Sequence, residues 1–463
     1  MLSYLSKNME RKMIKKEILI IGGGPSAMVA AGGCKMYYPN KSVSVIKKDA
    51  DSMVPCGIPY VFGVMLDSVE DDMIPCGNMA AKMGTELIHD KALKIDSKAK
   101  TITCKSGEVY GYEKLIIATG STPKVPKKIK NYDAKGVYQV PKSPNYIRKM
   151  HKALKDVKKV IVVGTGFIGV ELADELKSSG KDVTLIGPRL LKSSFDKEVS
   201  VYMEDIIVGN GVKFLEGERT QEILTKNGVA YGVKLKSSQE IKADAVILAT
   251  GYAPNVNLAK ESGVNIGEFG AIRVDEYMKT NIQDIFAIGD CAEKRDFITR
   301  RVSPIMLAST ATAEARMVAA NLFNINLVKS FKGTIGIFST VMNDQAFGSA
   351  GVTETQAKKE GIEYISTVIK VPGKHPAALP NTQEQAIKLI ATKKGGIVIG
   401  AQIVGGLDAG EMINMLGAII EGGYTIFDLV GLQVATHPLL TSAPTTYPVM
   451  QAAQMLVAEF YKN

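Results

Sequence analysis

The sequence contains no tryptophan and only four histidines in 463 residues. The absent Trp excludes no class of protein. The scarcity of His does exclude one, because no His-rich cluster is available to ligate an ion, so no metal site is expected. Five cysteines are present: Cys34, Cys56, Cys76, Cys104 and Cys291. Their number is odd and none stands in a CxxC pair, which argues against a disulfide framework and against structural zinc. No apolar run has signal-peptide length at the start, and none elsewhere is long enough to span a bilayer. A cytoplasmic protein without a membrane partner is therefore expected. The opening MLSYLSKNMERKMIKK reads as a leader, with Met9 and Met13 as alternative starts. No basic block is interleaved with aromatics, so the net charge of +10 does not point to nucleic acid. It fits solubility or an anionic small molecule. With 46% hydrophobic and 22% charged residues the chain is globular, and its length calls for two or three domains.

What is present is a repeated pattern. The apolar run Glu17 to Ile21 ends in GGGPSA and is followed by the helical stretch MVAAGGCKMYY and the strand SVSVI. VIVVGTGFIGVELADEL followed by VTLIG repeats this order of strand, glycine turn, helix and strand. After each unit comes an apolar strand closing on ATG, KLIIATGSTP in the first and AVILATGYAPN in the second. IFAIGD supplies a further strand. The chain thus reads as one nucleotide domain, a second inserted into it, and a return to the first. From about Phe331 the texture changes. AIKLIATKKGGIVIGAQIVG reads as a hairpin or meander turning at KKGG, and GEMINMLGAIIEGG reads as a helix.

Gly22, Gly24 and Ala27 fit the G-x-G-x-x-G/A fingerprint, and Gly164, Gly166 and Gly169 repeat it. The first glycine makes the tight turn, the second lets backbone approach a pyrophosphate, and the small third residue lets helix pack on strand. The helix N-terminus then offers amides and the positive end of its dipole. One such match is weak evidence. Two, each between a strand and a helix, are much stronger. The acidic residue expected after the second strand is missing from both units. Lys47, Lys48 and Asp49 stand in the first, and Gly187, Pro188 and Arg189 in the second. Asp49 is either a ribose contact or a loop cap.

SMVPCGIPY places Cys56 just beyond the second strand, within reach of whatever the first fingerprint holds. Pro59 suits the first turn of a helix, a position that lowers a neighbouring thiol pKa. Cys34 and Cys104 fit a structural role, Cys76 reads as a loop thiol, and Cys291 lacks a redox argument.

On these residues the chain resembles the two-dinucleotide-fold flavoproteins related to glutathione reductase and lipoamide dehydrogenase. It is most similar to their single-cysteine branch of coenzyme A disulfide reductase, NADH oxidase, NADH peroxidase and persulfide reductases. Ser52-x-x-x-Cys56-Gly57-x-Pro59-Tyr60 and TNIQDIFAIGDCAE carry the resemblance. It implies an α/β fold of two Rossmann-like domains, for FAD and for NAD(P), plus a C-terminal α+β dimerisation domain. The expected bounds are a leader over 1–16, the FAD domain over 17–130 and 256–330, the NAD(P) domain over 131–255, and the third domain over 331–463. FAD contacts would include Gly22, Gly24, Ala27, Asp49, Ser52, Thr119, Gly120 and Asp290, the last matching the aspartate that binds the ribityl chain. Ser303 and Pro304 would open a helix facing the flavin. Gly164, Gly166, Gly169, Arg189 and Gly251 would hold NADPH or NADH. Val61 stands where the dithiol branch has its second cysteine, so Cys56 would cycle as a mixed disulfide, persulfide or sulfenic acid. Lys47 replaces the family's ribose-binding glutamate. His437-Pro438 is retained, with Ser442 in place of the following glutamate, and His375 and Thr436 stand near the places where coenzyme A disulfide reductase has tyrosines.

The resemblance implies an NAD(P)H oxidoreductase, a homodimer, that reduces a small disulfide, persulfide or polysulfide, with coenzyme A-derived thiols among the candidates. Cys56 and His437 are its expected catalytic residues, His437 reaching the partner's site, and Lys35 is a candidate phosphate contact. The alternatives are an NAD(P)H oxidase or peroxidase using a sulfenic acid, and a reductase of a protein electron carrier. With no carboxylate after Ile186 to repel a 2′-phosphate, and with Arg189 and Lys192 close by in sequence, NADPH is expected to match or exceed NADH in kcat/KM. A strong NADH preference in initial-rate measurements would contradict that reading.

Overall fold

The computed structural model describes residues 13–328 and 333–462. Two five-stranded parallel sheets have the same construction. The first orders its strands Ile285–Ala287, Lys114–Ile117, Ile18–Ile21, Val43–Lys47 and Glu86–His89. The second runs Val137–Tyr138, Ala245–Leu248, Lys159–Val163, Asp182–Gly187 and Lys213–Glu216. In both, the fingerprint strand is central, with the strand that ends in ATG on one side and the second strand of the βαβ unit on the other. These strands are buried on both faces, which is why they read as continuous Val and Ile runs rather than alternating ones.

The helix Pro25–Tyr37 packs against Ala308–Asn321 through small residues. A Cβ on Gly33 would come within 2.8 Å of Ala319 Cβ. Each sheet also carries a three-stranded meander, Ala92–Asp96 with Thr101–Cys104 and Val109–Gly111 in the first domain and Thr220–Lys226 with Val229–Leu235 and Glu240–Lys242 in the second. Of the expected leader, residues 1–12 lie outside the described residues. Ile14–Lys15 form a strand parallel to Val109–Gly111, so ordered structure starts before Glu17.

The helix expected to open at Ser303 begins at Ala308 instead. Val302–Ser303 pairs with Lys294–Arg295, and Pro304 keeps the residue before it out of the α region. Cys76 is a second correction. It is not a loop thiol but the fully buried first residue of the helix Cys76–Lys82. Lys35, the candidate phosphate contact, is turned back onto the carbonyls of Pro39 and Lys41, at 2.7 and 3.2 Å.

The third domain is a five-stranded antiparallel sheet in the order Ile337–Met342, Gln345–Gly351, Val398–Gly405, Glu384–Thr392 and Tyr364–Pro372. The turn at KKGG is confirmed, with Leu389 opposite Ala401 and both Gly395 and Gly396 at positive φ. Helices Ala409–Gly422 and Pro448–Phe460 cover one face. The other face meets the second dinucleotide domain through a buried ion cluster. Lys388, 1% exposed, lies 2.9 Å from Glu354, 3.2 Å from Asp196 and 3.3 Å from Glu198. Gln402 brackets Asp196, donating to its carboxylate at 2.7 Å and accepting from its amide at 2.8 Å. Burial opposes ionisation of Glu354, but Ser366 and Lys388 prevail and hold its carboxyl down to about 2.

Removing the cation alone would leave the buried Asp196 and the half-buried Glu354 carboxylates uncompensated. Lys388→Met is expected to destabilise the interface by roughly 3–5 kcal/mol, read as a lower thermal midpoint. The midpoint should rise again when Asp196→Asn and Glu354→Gln are added. An unchanged midpoint in the single variant would contradict this assignment.

Candidate functional site

Both fingerprints rest on the same contact. Gly22 has φ +134°, and a Cβ there would lie 2.0 Å from the carbonyl oxygen of Ala118 in the ATG turn. Gly164 has φ +118°, and its Cβ would lie 2.3 Å from the carbonyl oxygen of Ala249 in the second ATG turn. The third positions, Ala27 and Gly169, are buried at the strand–helix contact. The second positions are open. A Cβ on Gly24 or on Gly166 would meet nothing within 4 Å, at the N-cap of the helix that follows each. Gly120 and Gly251, which end the two ATG turns, are open in the same way. The first turn is cross-linked to Asn255, which follows the strand leaving the second turn. Asn255 Nδ2 donates to the Thr119 carbonyl at 2.9 Å, and Thr119 Oγ1 donates to the Asn255 carbonyl at 2.6 Å.

These open cradles fit a diphosphate at each helix start. Beyond the first cradle lies a cleft lined by Asp290, Ser303 and Met306, with Tyr252 and Lys124 at the domain junction. Asp290 Oδ2 accepts from Ser121 Oγ at 2.7 Å and from Lys142 Nζ at 2.6 Å. Burial opposes the charge on Asp290, yet Lys142 and Ser121 hold its carboxyl below the usual range. An ionised acceptor is thus set where a sugar-alcohol chain would need one, and the residues present fit FAD. The adenosine end departs from the expected pattern. Lys47 is buried and folds over Gly23, and its Nζ donates to the carbonyls of Asp49 and Asp51 at 2.5 and 2.6 Å. The Asp49 carboxylate pairs with Lys48 at 3.6 Å. A second cleft, lined by Gly166, Phe167, Gly251 and Tyr252, fits the nicotinamide nucleotide. Arg189 stands at the end of its strand with two nitrogens committed to Ser200 Oγ, at 2.5 Å, and the Phe195 carbonyl, at 3.0 Å.

Cys56 lies on an exposed turn between the two-residue hairpin Ser52–Met53/Met73–Ile74 and the 3-10 helix Ile58–Phe62. Ser52 Oγ donates to the Gly23 carbonyl at 2.6 Å and ties this hairpin to the first fingerprint. The helix expected beside Cys56 exists but is a single short 3-10 segment, and the thiol is not lowered. Partial burial of the sulfur pushes it up, Glu171 adds to this, Lys142 opposes, and Asp72 and Asp290 raise it further. The other four cysteines are buried. Burial raises Cys34 to about 12 and Cys104 to about 11. Position 61 is taken by a buried valine, so the chain offers no thiol there.

Sequence reasoning missed the acids around Cys56. The Asp72 carboxylate fills the space where a Gly57 side chain would go, 1.9 Å from the ideal Cβ, and burial raises it to about 6. From the helix Phe167–Ser178, Glu175 fills the corresponding space at Gly63, 1.6 Å from the ideal Cβ. Burial first, and Asp174 second, raise Glu175 to about 7. Glu171 also reaches about 7, chiefly through burial, and accepts from Thr340 Oγ1 of the third domain at 2.8 Å. Only the two small residues, Gly57 and Gly63, hinted at this packing in the sequence. His437 lies apart in the third domain. Its Nδ1 accepts from the Leu439 amide at 3.2 Å, which leaves Nε2 to carry the proton in the neutral ring. His375 joins the same loop cluster, with Nδ1 2.9 Å from the Thr441 carbonyl and its amide donating to Pro438. Among the described residues, no hydrogen bond of His437 reaches the Cys56 turn of the same chain.

The pyridine nucleotide-disulphide oxidoreductase model matches residues 16–315, and the dimerisation-domain model of the same name matches residues 337–448. The chain is 32% identical to the NAD(P)H coenzyme A polysulfide/persulfide reductase of Pyrococcus horikoshii, over 96% of this chain and 99% of that protein. It is 30% identical to an NADH oxidase of Enterococcus faecalis, over 89% of this chain and 93% of that one. Among solved structures, a NAD-dependent persulfide reductase from A. fulgidus superposes with a TM-score of 0.89 at 29% identity, covering 96% of this chain and 83% of that chain. Among the described residues no helix is long and apolar enough to cross a membrane.

The raised acids give a pH dependence with a definite sign. Below its ordinary value of 4.5 Glu175 is protonated in both folded and unfolded chains and contributes nothing. As pH rises from there to about 7 the unfolded chain ionises first, so stability falls. Above that range the full cost, about 3 kcal/mol, is present. The thermal midpoints of wild type and Glu175→Gln should therefore converge below about pH 4 and separate by about pH 8, with the variant higher. Parallel profiles would contradict the buried-acid assignment.

Proposed function

Because the chain belongs to the pyridine nucleotide-disulphide oxidoreductase family, we propose that it reduces a small disulfide, persulfide or polysulfide at Cys56. It is an FAD-dependent NAD(P)H oxidoreductase with Rossmann-type domains and a dimerisation domain. The observation that carries the substrate reading is a lone exposed thiol on the turn tied to the first fingerprint, with Val61 where a second thiol would be needed. Such a cysteine cannot close an internal disulfide with a near neighbour, so its oxidised form must hold an atom from the substrate. The coenzyme A polysulfide/persulfide reductase relative supports this reading, and the net charge of +10 suits an anionic thiol carrier. A cytoplasmic location goes with it.

For a persulfide the balance is R–S–SH + NAD(P)H + H⁺ → R–SH + H₂S + NAD(P)⁺. The Cys56 thiolate attacks the outer sulfur, the substrate S–S bond breaks, and the thiolate R–S⁻ leaves and takes a proton. Cys56 then carries one additional sulfur. Bound FAD would supply the chemistry that relays the two electrons of the nicotinamide hydride to that sulfur, releasing it as hydrogen sulfide. Gly24 and Gly120 leave room for the flavin nucleotide and Asp290 orients its polyol chain, while Gly166 and Gly251 do the same for the nicotinamide nucleotide. In a homodimer, His437 of the partner subunit is the candidate for returning the proton to the departing thiol.

Anaerobic kcat/KM for coenzyme A disulfide, coenzyme A persulfide, glutathione disulfide and polysulfide tests the reading. Cys56→Ser should lower each by at least about 100-fold while flavin reduction by the nicotinamide persists. If oxygen or hydrogen peroxide turns over more than about tenfold faster than every sulfur compound, a gap of roughly 1.4 kcal/mol, the oxidase reading takes its place.

A further inference from the structure

Asp290 is placed by a turn outside the sheet. It stands in the 3-10 segment Gly289–Cys291, just after the strand Ile285–Ala287, and Gly289 enters that segment at φ +74°. Gly289 is buried, so its backbone groups need partners within the protein. Its amide donates to Glu314 Oε2 at 2.8 Å, and its carbonyl accepts from Lys294 Nζ at 2.6 Å. The same ammonium donates to the Ala292 carbonyl at 2.9 Å and lies 3.3 Å from Glu314 Oε1. The side chains of Lys294 and Glu314 are 2% and 4% exposed. One buried ion pair thus grips the turn on both sides of Asp290.

The pair also joins the parts of the flavin site. A Cβ on Gly289 would lie 2.7 Å from Ser26 Oγ, in the second residue of the helix whose start forms the first cradle. Glu314 comes from the helix Ala308–Asn321, which packs on that same helix. Lys294 pairs through its backbone with Ser303, on the wall of the cleft. A buried ion pair is often no more stabilising than well-packed apolar residues of the same volume. Apolar residues, however, could not hydrogen-bond Gly289.

We propose that Lys294 and Glu314 are positioning residues for FAD. Their ion pair clamps the Gly289 turn and so fixes Asp290, the acceptor for the polyol chain, relative to the first diphosphate cradle. Nothing in the fingerprints or the cysteine motif assigns either residue a role. A single FAD molecule has to reach from the cradle to the Asp290 carboxylate, so a turn free to shift would lose one contact in making the other. The side-chain hydrogen bonds to Asp290, from Ser121 and Lys142, fall on Oδ2, and Oδ1 accepts none among the described residues. One oxygen therefore anchors the carboxylate and the other faces the flavin's hydroxyls.

This inference depends on FAD binding and not on the sulfur reaction proposed for Cys56, and its test does not use turnover. The rate of FAD release from the holoenzyme is measured on dilution, as the rise in flavin fluorescence, beside the thermal midpoint of each variant. Lys294→Met combined with Glu314→Gln removes the clamp without leaving an unpaired buried charge. It should release FAD at least about tenfold faster than wild type. Lys388→Met, which destabilises the junction with the third domain, is the control for stability alone and should stay within about twofold of wild type. With Ala at position 290 the double substitution should accelerate release by less than about threefold, because the group that the clamp positions is gone. An unchanged release rate in the double variant overturns the proposal. So does an equal acceleration in Lys388→Met at the same loss of midpoint, or an equal acceleration with Ala and with Asp at position 290. Should the double variant retain no flavin, Glu314→Gln, which keeps one acceptor oxygen of two, takes its place in the same comparisons. Asp290→Asn likewise replaces Asp290→Ala if that variant is colourless.

Discussion

The architecture depends on a contact made without side chains. In each dinucleotide domain the first fingerprint glycine lies so close to a carbonyl of the neighbouring ATG turn that a single Cβ would collide with backbone. That approach brings the central strand and the ATG strand together at their carboxyl ends, where open α/β sheets bind ligands. It also fixes where each following helix begins, and so where its free amides point. The strands leaving the two turns, Ser121–Pro123 and Tyr252–Pro254, pair antiparallel, and Thr119 is cross-linked to Asn255 at the end of the second, so the two dinucleotide domains are tied together just beyond the turns.

On that frame the helix Phe167–Ser178 brings three units together. It starts at the second fingerprint. Its acids reach Gly63, at the end of the 3-10 helix that follows Cys56, through Glu175, and the third domain through the hydrogen bond between Glu171 and Thr340. Phe167 at its first turn stacks on Phe338 of the third domain, with ring centres 5.2 Å apart. The buried cluster of Lys388, Asp196 and Glu354 closes the same junction from the other side. The second fingerprint, the segment that carries Cys56 and the dimerisation domain are thus packed against one another. The cost is a site rich in buried carboxyls, which must be offset by placed cations or by protonation.

The parts legible in the sequence were those tied to backbone geometry. Glycine at a crowded strand end and a β-rich run before it leave few alternatives, so Gly22, Gly164 and the repeated ATG turns could be read directly. Cys56 was legible as a motif, but its electrostatics were not. Glu171 and Glu175 lie in VELADEL, a pattern indistinguishable from an ordinary solvated helix until the Cys56 turn and the third domain cover it. Lys388 occupies an inward position in a strand whose neighbours are apolar, and only the facing Asp196 and Glu354, distant in sequence, explain it. Cys76 and the late start of the helix Ala308–Asn321 were misplaced for a local reason, since prolines on the preceding loops decided where helix begins. Lys35 looked available for phosphate until its own helix end claimed it.

The central claim is that Cys56 accepts a sulfur atom from the substrate. The direct measurement is made on the reduced holoenzyme mixed anaerobically with coenzyme A persulfide, quenched within one turnover, alkylated and digested. The mass of the Cys56 peptide is then read. The account predicts a peptide carrying one additional sulfur atom, which disappears when excess NADPH is supplied. A Cys56 that stays unmodified throughout, or that gains only oxygen on exposure to peroxide while remaining inert to persulfide, would contradict it.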